Sequence, residues 1–145
     1  MNADMKVLLG IAISVAVRAH EGQTDRAGEP YITHPLRVMH SLATYEEKIV
    51  GVLHDVIEDT SVTVKELQEL GFPPVILEAL DSVTHRKGES YVDYVARAKL
   101  NAIGREVKKA DLKDNANVFR LPVVEDYDLR RLRKYHKAEK FLQEE

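Results

Sequence analysis

Cysteine is absent from this chain of 145 residues. Its absence excludes disulfide bonds, a thiolate metal site and a thiol nucleophile. Any metal site must therefore be built from histidine and carboxylate side chains.

A surplus of positive charge is also absent, since 21 Lys and Arg residues stand against 24 Asp and Glu residues and give a formal net charge of −3. A protein that binds a nucleic-acid backbone needs clustered positive charge. We therefore expect neither DNA nor RNA as a partner.

Long hydrophobic runs are missing as well. The apolar stretch between Lys6 and Arg18 is interrupted by Gly10 and Ser14, and it is too short to span a bilayer. It has the outline of a signal peptide, but Arg18 stands where cleavage favours a small residue. We predict instead a first helix over residues 4–20, apolar nearly all round and buried in a bundle, and no membrane partner.

Strand patterns, internal repeats and low-complexity segments are not found either. The hydrophobic content of 44% and charged content of 31% are ordinary for a globular protein. Apolar residues recur at helical spacing, which predicts an all-α fold, a single helical bundle over residues 1–145. A capping box from Thr63 to Glu66 begins a short helix that ends at Gly71. A basic amphipathic helix over about residues 128–142 closes the bundle.

The stretch from Glu46 to Asp59 is the centre of the predicted chemistry. On a single helix its apolar residues fill one arc, while His54, Asp55, Glu58 and Asp59 fill the opposite one. His54 and Glu58 are four residues apart, as are Asp55 and Asp59, so the members of each pair are neighbours on the helix surface. An imidazole beside three carboxylates suits a first-row metal, and the alternative is a solvated polar face.

His34 offers a second imidazole. Pro35 suits the first turn of a helix, which places the helix cap at Thr33 or His34. A histidine at a helix start is either a local hydrogen-bonding residue or a ligand.

Asp111 offers another carboxylate, on a helix predicted over residues 104–119. It shares with Val107 and Asp114 a stripe that would otherwise face the core, and a buried carboxylate is costly without a partner. Asp111 therefore needs a metal, a base or a helix terminus, unless it is a surface residue paired with Lys108 or Arg105.

Three separated elements thus carry His34, His54, Asp55 and Asp111. Two imidazoles and two carboxylates make a mixed nitrogen and oxygen site that suits Mn²⁺, Fe²⁺ or Zn²⁺.

Three blocks of the sequence, in order, resemble the HD-domain metal-dependent phosphohydrolases, and specifically the RelA/SpoT-type alarmone hydrolase domain. The resemblance runs from about residue 5 to 120, and the chain is similar to the small stand-alone alarmone hydrolases. The matching residues are Ala19-His20, Gln23, Gly28 to Ile32 and His34-Pro35 in the first block, Leu53 to Thr60 in the second, and Val107-Lys108, Ala110-Asp111 and Asn115 in the third.

The resemblance implies a cytoplasmic enzyme that removes the 3′-pyrophosphate from (p)ppGpp, usually with Mn²⁺, and releases GDP or GTP and pyrophosphate. It implies that the metal ligands are the two histidines and two aspartates named above. Glu58 and Asp59 would be the catalytic residues that orient or activate the attacking water, and Arg26 and Asn115 would contact the substrate. The oligomeric state stays open.

The chain departs from the family pattern at three positions that bear on the substrate. Asp25 stands where a second basic residue is usual, Leu112 stands where a basic residue usually follows the metal-binding Asp, and Asp114 stands where a His or Tyr is common. Lys113, or Arg86 from a charged loop, is a candidate to replace the lost phosphate-binding charge.

Two other functions compete with alarmone hydrolysis. One is a phosphohydrolase of the same fold that acts on another nucleotide, such as an adenosine alarmone or a nucleoside phosphate. The other is a module that binds an alarmone without cleaving it, against which the presence of both Glu58 and Asp59 argues.

Overall fold

The computed structural model of the protein describes residues 4–145, and this part of the chain is helical without strands, as predicted. Its only extended pairing is an isolated bridge between Thr24 and Pro30. The helices in order are α1 (Met5–Ala19), α2 (Thr33–Ser41), α3 (Tyr45–Leu53), α4 (Val56–Asp59), α5 (Val64–Glu69), α6 (Pro74–Ser82), α7 (Tyr91–Leu100), α8 (Ala102–Asn115), a 3₁₀ turn (Val118–Arg120) and α9 (Asp126–Gln143).

Helix α3 lies at the centre of the molecule, with α1, α2, α6 and α8 packed around it. Its last five residues, from Ile49 to Leu53, are all buried. Gly51 is needed at the contact with α2, because a Cβ there would lie 2.6 Å from the Leu42 Cδ1 atom. The close packing of α2 on α3 brings the start of α2 to the end of α3.

Helix α9 forms a smaller second core with α7 and α8. Its buried residues Tyr135, Ala138 and Leu142 contact Val95 and Leu112. The helix begins two residues before the predicted range and ends one residue after it.

Helix α1 is not buried all round, so that prediction is wrong. Leu8, Ala12 and Ala16 face the core, whereas Val7 and Val17 remain 59% and 46% exposed. The helix packs mainly on α3, and a helix with one main neighbour buries only one stripe. Among residues 4–145, no helix combines the length and the apolar character that crossing a membrane requires.

The predicted single helix over residues 46–59 is also wrong, because it breaks at His54 and Asp55. The His54 ring donates from Nδ1 to the Gly51 carbonyl oxygen at 2.6 Å, the acceptor that a continuous helix would offer to the Asp55 amide. His54 is only 2% exposed, so it does not lie on a solvent-facing arc. The break turns His54 inward.

Local signals at the helix ends were predicted with mixed success. The capping box is confirmed, since the Glu66 amide donates to Thr63 Oγ1 at 3.2 Å and the Thr63 amide donates to Glu66 Oε2 at 3.3 Å. Pro35 lies in the first turn of α2, but the cap is Ile32 rather than Thr33 or His34. Helix α8 ends at Asn115, within the region 104–119 where the helical stripe was found.

Candidate metal centre and its cavity

Two histidines and an aspartate meet in the interior: His34 from α2, His54 from the end of α3 and Asp111 from α8. The Nε2 atoms of His34 and His54 are 3.3 Å apart. Asp111 Oδ1 lies 3.0 Å from the first of these atoms and 3.2 Å from the second. All three side chains are buried, and their ligand atoms lie within 4.8 Å of one another, as a metal site requires.

Asp55 completes the group predicted from the sequence. Its Oδ2 atom lies 3.1 Å from His54 Nε2 and 3.7 Å from His34 Nε2. The Tyr31 hydroxyl donates a hydrogen bond to the same oxygen. The structure therefore brings the four proposed ligands together.

The outer nitrogen of each histidine is held by an acceptor, which fixes the direction of the ring. His34 Nδ1 donates to Asp114 Oδ2 at 2.6 Å, and His54 Nδ1 donates to the Gly51 carbonyl at 2.6 Å. With these hydrogens on Nδ1, both neutral Nε2 atoms present lone pairs to the carboxylate of Asp111. Hydrogen-bond acceptors that face one another with no hydrogen between them need a cation. These nitrogen and oxygen ligands fit a first-row divalent metal.

The pKa values of His54 and Asp111 also indicate that the site favours positive charge. Burial lowers the pKa of His54, but Asp55 and Asp111 raise it well above its ordinary value. Burial raises the pKa of Asp111, but Lys108 and His54 lower it well below the ordinary value. The site therefore holds its carboxylates ionised.

Asp114, which shares the stripe of Asp111 and departs from the family pattern, lies behind His34. Besides the bond from His34, it accepts hydrogen bonds from Arg37 Nε at 2.8 Å and from Arg120 Nη1 at 3.2 Å. Burial raises its pKa, but the bonds from His34 and Arg37 lower it far below the ordinary value. Asp114 is therefore an ionised carboxylate that orients an imidazole.

Lys108, which belongs to the third matching block and is a possible surface partner of Asp111 in the sequence, is 6% exposed and therefore buried. Its Nζ atom lies 3.0 Å from Asp111 Oδ2, and it donates to the Tyr94 hydroxyl at 3.3 Å. Burial lowers its pKa, but Asp111 raises it above the ordinary value. Asn115 Nδ2 donates to Asp111 Oδ1 at 3.0 Å, so Lys108 and Asn115 together hold both oxygens of Asp111.

A cavity of about 600 Å³ opens beside this centre, and Asp55 and Asp111 line it. Such a volume suits a small organic ligand. Three tyrosines and five cations are among the other residues that line the cavity. The tyrosines are Tyr31, Tyr91 and Tyr94, and the cations are Arg26, Lys108, Arg120, Arg131 and Lys134.

The two residues predicted to be catalytic are placed differently. Glu58 lines the cavity and accepts a hydrogen bond at Oε1 from the His85 amide. Burial raises its pKa above the ordinary value. Asp59 is exposed and does not line the cavity, while its backbone carbonyl accepts from Gln23 Nε2 at 3.0 Å.

The candidate substrate contacts also separate into two groups. Arg26 and Asn115 line the cavity, whereas Lys113 and Arg86 do not. Arg86 is instead exposed and paired with Asp81 at 2.8 Å.

The departure at Asp25 has a local explanation. Its Oδ1 atom accepts from the amides of Ala27 and Glu29, both at 2.9 Å. Asp25 therefore stabilises the loop that carries Arg26 into the cavity wall.

Arg131 and Lys134 are not identified as cavity residues from the sequence, because the sequence predicts that α9 closes the bundle and exposes its polar face to solvent. The signal that could have found them is the density of basic residues on this helix. Neither cation follows from the three matched blocks, which end before α9.

An all-helical chain with a buried His and Asp centre beside a cavity lined by both cations and carboxylates has the features of the HD-domain class. No family model matches the chain. The chain is 46% identical over 77 residues to the bifunctional (p)ppGpp synthase/hydrolase SpoT of Escherichia coli, a match that covers 50% of this chain and 11% of the relative. It is 42% identical over 77 residues to the guanosine-3′,5′-bis(diphosphate) 3′-pyrophosphohydrolase of Borreliella burgdorferi, again over 50% and 11%.

A longer match reaches a GTP pyrophosphokinase of Streptomyces coelicolor, at 33% identity over 122 residues, 75% of this chain and 14% of the relative. The chain thus spans about a tenth of the length of these curated relatives. Among solved structures, one described as a metazoan ortholog of SpoT that hydrolyses ppGpp shares the fold, with a TM-score of 0.76 at 19% identity. That match covers 99% of this chain and 88% of the other. The resemblance to the RelA/SpoT-type HD domain is confirmed.

Proposed function

We propose that this protein hydrolyses the 3′-pyrophosphate of the guanosine alarmones (p)ppGpp and releases GDP or GTP and pyrophosphate. One observation carries the proposal: the ligand atoms of His34, His54, Asp55 and Asp111 converge beside a cavity that contains five cations. The names of the relatives, which include 3′-pyrophosphohydrolases, supply the substrate.

The four converging side chains would hold a divalent metal, for which we propose Mn²⁺. Two imidazole nitrogens and carboxylate oxygens favour a first-row ion over Mg²⁺. When bound, such an ion polarises a phosphoryl oxygen and lowers the pKa of water, which is the chemistry that phosphate-ester hydrolysis needs at neutral pH.

Glu58 would accept the proton of the attacking water at Oε2, because its Oε1 atom is engaged with the His85 amide. The raised pKa brings this carboxyl closer to the working range of a general base. The water oxygen forms a bond to the phosphorus attached at the ribose 3′-oxygen, and the bond from that phosphorus to the 3′-oxygen breaks. The 3′-oxygen leaves as a hydroxyl after protonation. Asp59 lies outside the cavity lining, but partial burial raises the pKa of its carboxyl and the charge of Asp55 is close enough to raise it further, and we assign it a part in orienting the water.

The cavity cations would bind the phosphates of the substrate. Arg26 and Asn115 remain our candidates for direct contact, since both line the cavity. We further propose that residues 1–145 act as one domain in the cytoplasm.

A second candidate is the hydrolysis of another nucleotide by the same centre. Two observations favour it. Asp25 accepts hydrogen bonds from the backbone of its own loop, and Lys113 and Arg86 do not line the cavity. The phosphate-binding charge that is usual at position 25 is therefore not replaced in the cavity by Lys113 or Arg86.

Product analysis separates these functions. The protein with Mn²⁺ is incubated separately with ppGpp, its adenosine counterpart and simple nucleoside phosphates, and the products are resolved by ion exchange. Alarmone hydrolysis predicts GDP and pyrophosphate from ppGpp, and Asp55→Ala, which removes a proposed ligand, should abolish both metal binding and turnover. Hydrolysis of a different nucleotide with ppGpp intact would establish the second candidate, and ppGpp binding without turnover of any nucleotide would indicate a sensor.

A further inference from the structure

The loop between α1 and α2 reaches α4, the four-residue helix that carries Glu58 and Asp59. A helix of this length is not stable by itself, so contacts from other elements must hold it. The last carbonyls of a helix also have no partner within the helix. In α4 the carbonyl of Asp59, the last residue, accepts from Gln23 Nε2 at 3.0 Å, and Gln23 lies 36 residues earlier in the chain. Gln23 thus joins the loop to the end of the helix that carries the proposed general base.

The orientation of the Gln23 side-chain amide follows from its two neighbours. A carbonyl oxygen only accepts hydrogen bonds, so the amide must present Nε2 to Asp59. Its Oε1 atom then faces His20 Nδ1 at 2.8 Å, and this ring nitrogen must carry the hydrogen because an amide oxygen also only accepts. His20 therefore holds the amide with its donor directed at α4.

His20 donates this hydrogen bond from a buried position. The side chain is 2% exposed, and with the hydrogen on Nδ1 its Nε2 atom is an acceptor. Nε2 is buried and has no hydrogen-bond partner among residues 4–145. A buried polar atom without a partner destabilises a fold, and an apolar side chain of similar size would avoid that cost. The imidazole is therefore explained by its hydrogen bond to Gln23 rather than by packing.

The same loop also holds the start of α4. Asp55 is the cap of that helix, and its carboxylate accepts from the Tyr31 hydroxyl. The Tyr31 amide donates to the Gln23 carbonyl oxygen at 2.8 Å, which ties the two contacts together. Both ends of α4 are therefore held by side chains of one loop.

We propose that Gln23, oriented by His20, is a positioning residue that holds the end of α4 so that Glu58 reaches the attacking water. The inference rests on the proposed function, since it takes Glu58 as the general base. The His85 amide fixes one carboxylate oxygen of Glu58, and Gln23 fixes the end of the helix that carries it. Neither Gln23 nor His20 lines the cavity, so both act through α4 rather than on the substrate.

The test replaces Gln23 by methionine, which keeps the size of the side chain and removes both of its hydrogen bonds. Gln23→Met should lower kcat for ppGpp about 10- to 100-fold, because a displacement of about 1 Å in a catalytic group has an effect of up to that order. KM should change little, since Arg26 is held separately by Asp128 at 2.7 Å. The affinity for Mn²⁺ should also be kept, because the Gln23 side chain makes no hydrogen bond to a proposed ligand.

Gln143→Met is the matched control, because Gln143 donates from the same type of amide to Glu139 at 2.6 Å, at the last residue of α9. It should keep the wild-type kcat. His20→Asn retains a side-chain donor for Gln23 and should keep most of the rate that His20→Leu loses. A wild-type kcat in Gln23→Met, or a loss confined to KM, would overturn the positioning role.

A double variant separates positioning from a general loss of stability. If Gln23 acts through Glu58, adding Gln23→Met to Glu58→Gln should lower kcat little further, since the group that it positions is already gone. The same fold-loss in both backgrounds would show that Gln23 does not act through Glu58.

Hydrogen exchange tests the hold on α4 without turnover. The amides of Asp59 and Thr60 close the last turn of α4 by donating to carbonyls four residues earlier, at 3.0 and 3.2 Å. Gln23→Met should speed their exchange in the protein without substrate, and Gln143→Met should not. If exchange responds in this way but wild-type protein hydrolyses no ppGpp, Gln23 holds α4 and the proposed function fails. If ppGpp is hydrolysed and Gln23→Met matches wild-type protein in both exchange and kcat, the positioning role fails and the function stands.

Discussion

Replacing Asp114 by alanine should weaken metal binding without removing a ligand. The side chain accepts the hydrogen of His34 Nδ1 at 2.6 Å, and this bond aims Nε2 at the centre. Loss of a carboxylate that orients a metal-binding histidine costs about 10- to 100-fold in metal affinity. That range corresponds to about 1.4 to 2.7 kcal/mol of binding free energy.

The effect on folding should be smaller than the effect on the metal. Arg37 and Arg120 also lose their acceptor, but their side chains are 35% and 32% exposed. Water can replace the lost carboxylate at such positions, so each pair contributes about 1 kcal/mol or less to the free energy of unfolding. The metal-free protein should therefore remain folded.

The assay is a calorimetric titration with Mn²⁺, paired with thermal unfolding of the metal-free protein. Asp114→Asn is the control, because its amide oxygen still accepts from His34 while the negative charge is gone. Asn should keep most of the affinity that Ala loses. Wild-type affinity in Asp114→Ala would refute the orienting role, and equal losses in both variants would assign the effect to charge.

Three further predictions test the catalytic, packing and ionisation arguments. Glu58→Gln should keep its Mn²⁺ affinity and lose about 10²-fold or more in kcat, because it removes a general base; a wild-type rate would remove Glu58 from the mechanism. Gly104→Ala should lower the free energy of unfolding in urea by about 1 to 3 kcal/mol, since its Cβ would lie 2.0 Å from Ser82 Oγ, and adding Ser82→Ala should restore part of the loss. Arg97 lowers the pKa of Glu89 from its ordinary value to about 2, so this pair stabilises the fold above the ordinary pKa and loses its effect as the pH falls towards 2. Glu89→Gln should therefore lower the melting temperature at pH 7, and a difference from wild type that persisted unchanged at pH 2 would contradict this assignment.

Helices were predictable where their signals are local. The capping box at Thr63 and Glu66 depends on residues three apart, and the left-handed φ of +101° at Gly71 ends that helix as its sequence indicated. Such signals need no knowledge of the rest of the fold.

The errors arose where contacts that the apolar pattern does not show decide the outcome. The burial of α1 depends on how many helices surround it. The presence of apolar residues on nearly all sides of α1 does not reveal that number. The break after Leu53 depends on the His54 ring taking the Gly51 carbonyl, which a helical pattern of apolar residues does not show.

The four proposed ligands could be named in advance because their side chains suit a metal and the three blocks that carry them resemble a known family. The residues that hold these ligands in place could not be named in advance. Lysine is usually a surface residue. Only the packing of α7 and α8 shows that Lys108 is buried against Asp111.

Asp114 illustrates why a pattern on one helix is incomplete without its neighbour. Residues three apart on a helix are separated by about 5 to 6 Å at Cβ, a spacing that lets two side chains reach opposite sides of one ring. Asp111 approaches His34 Nε2 at 3.0 Å, and Asp114 accepts from Nδ1 of the same ring at 2.6 Å. One stripe of α8 thus supplies both a proposed ligand and the carboxylate that orients a second ligand. The acidic residues that interrupt the stripe are explained by a histidine 77 residues earlier in the chain, and no spacing within α8 could have identified it.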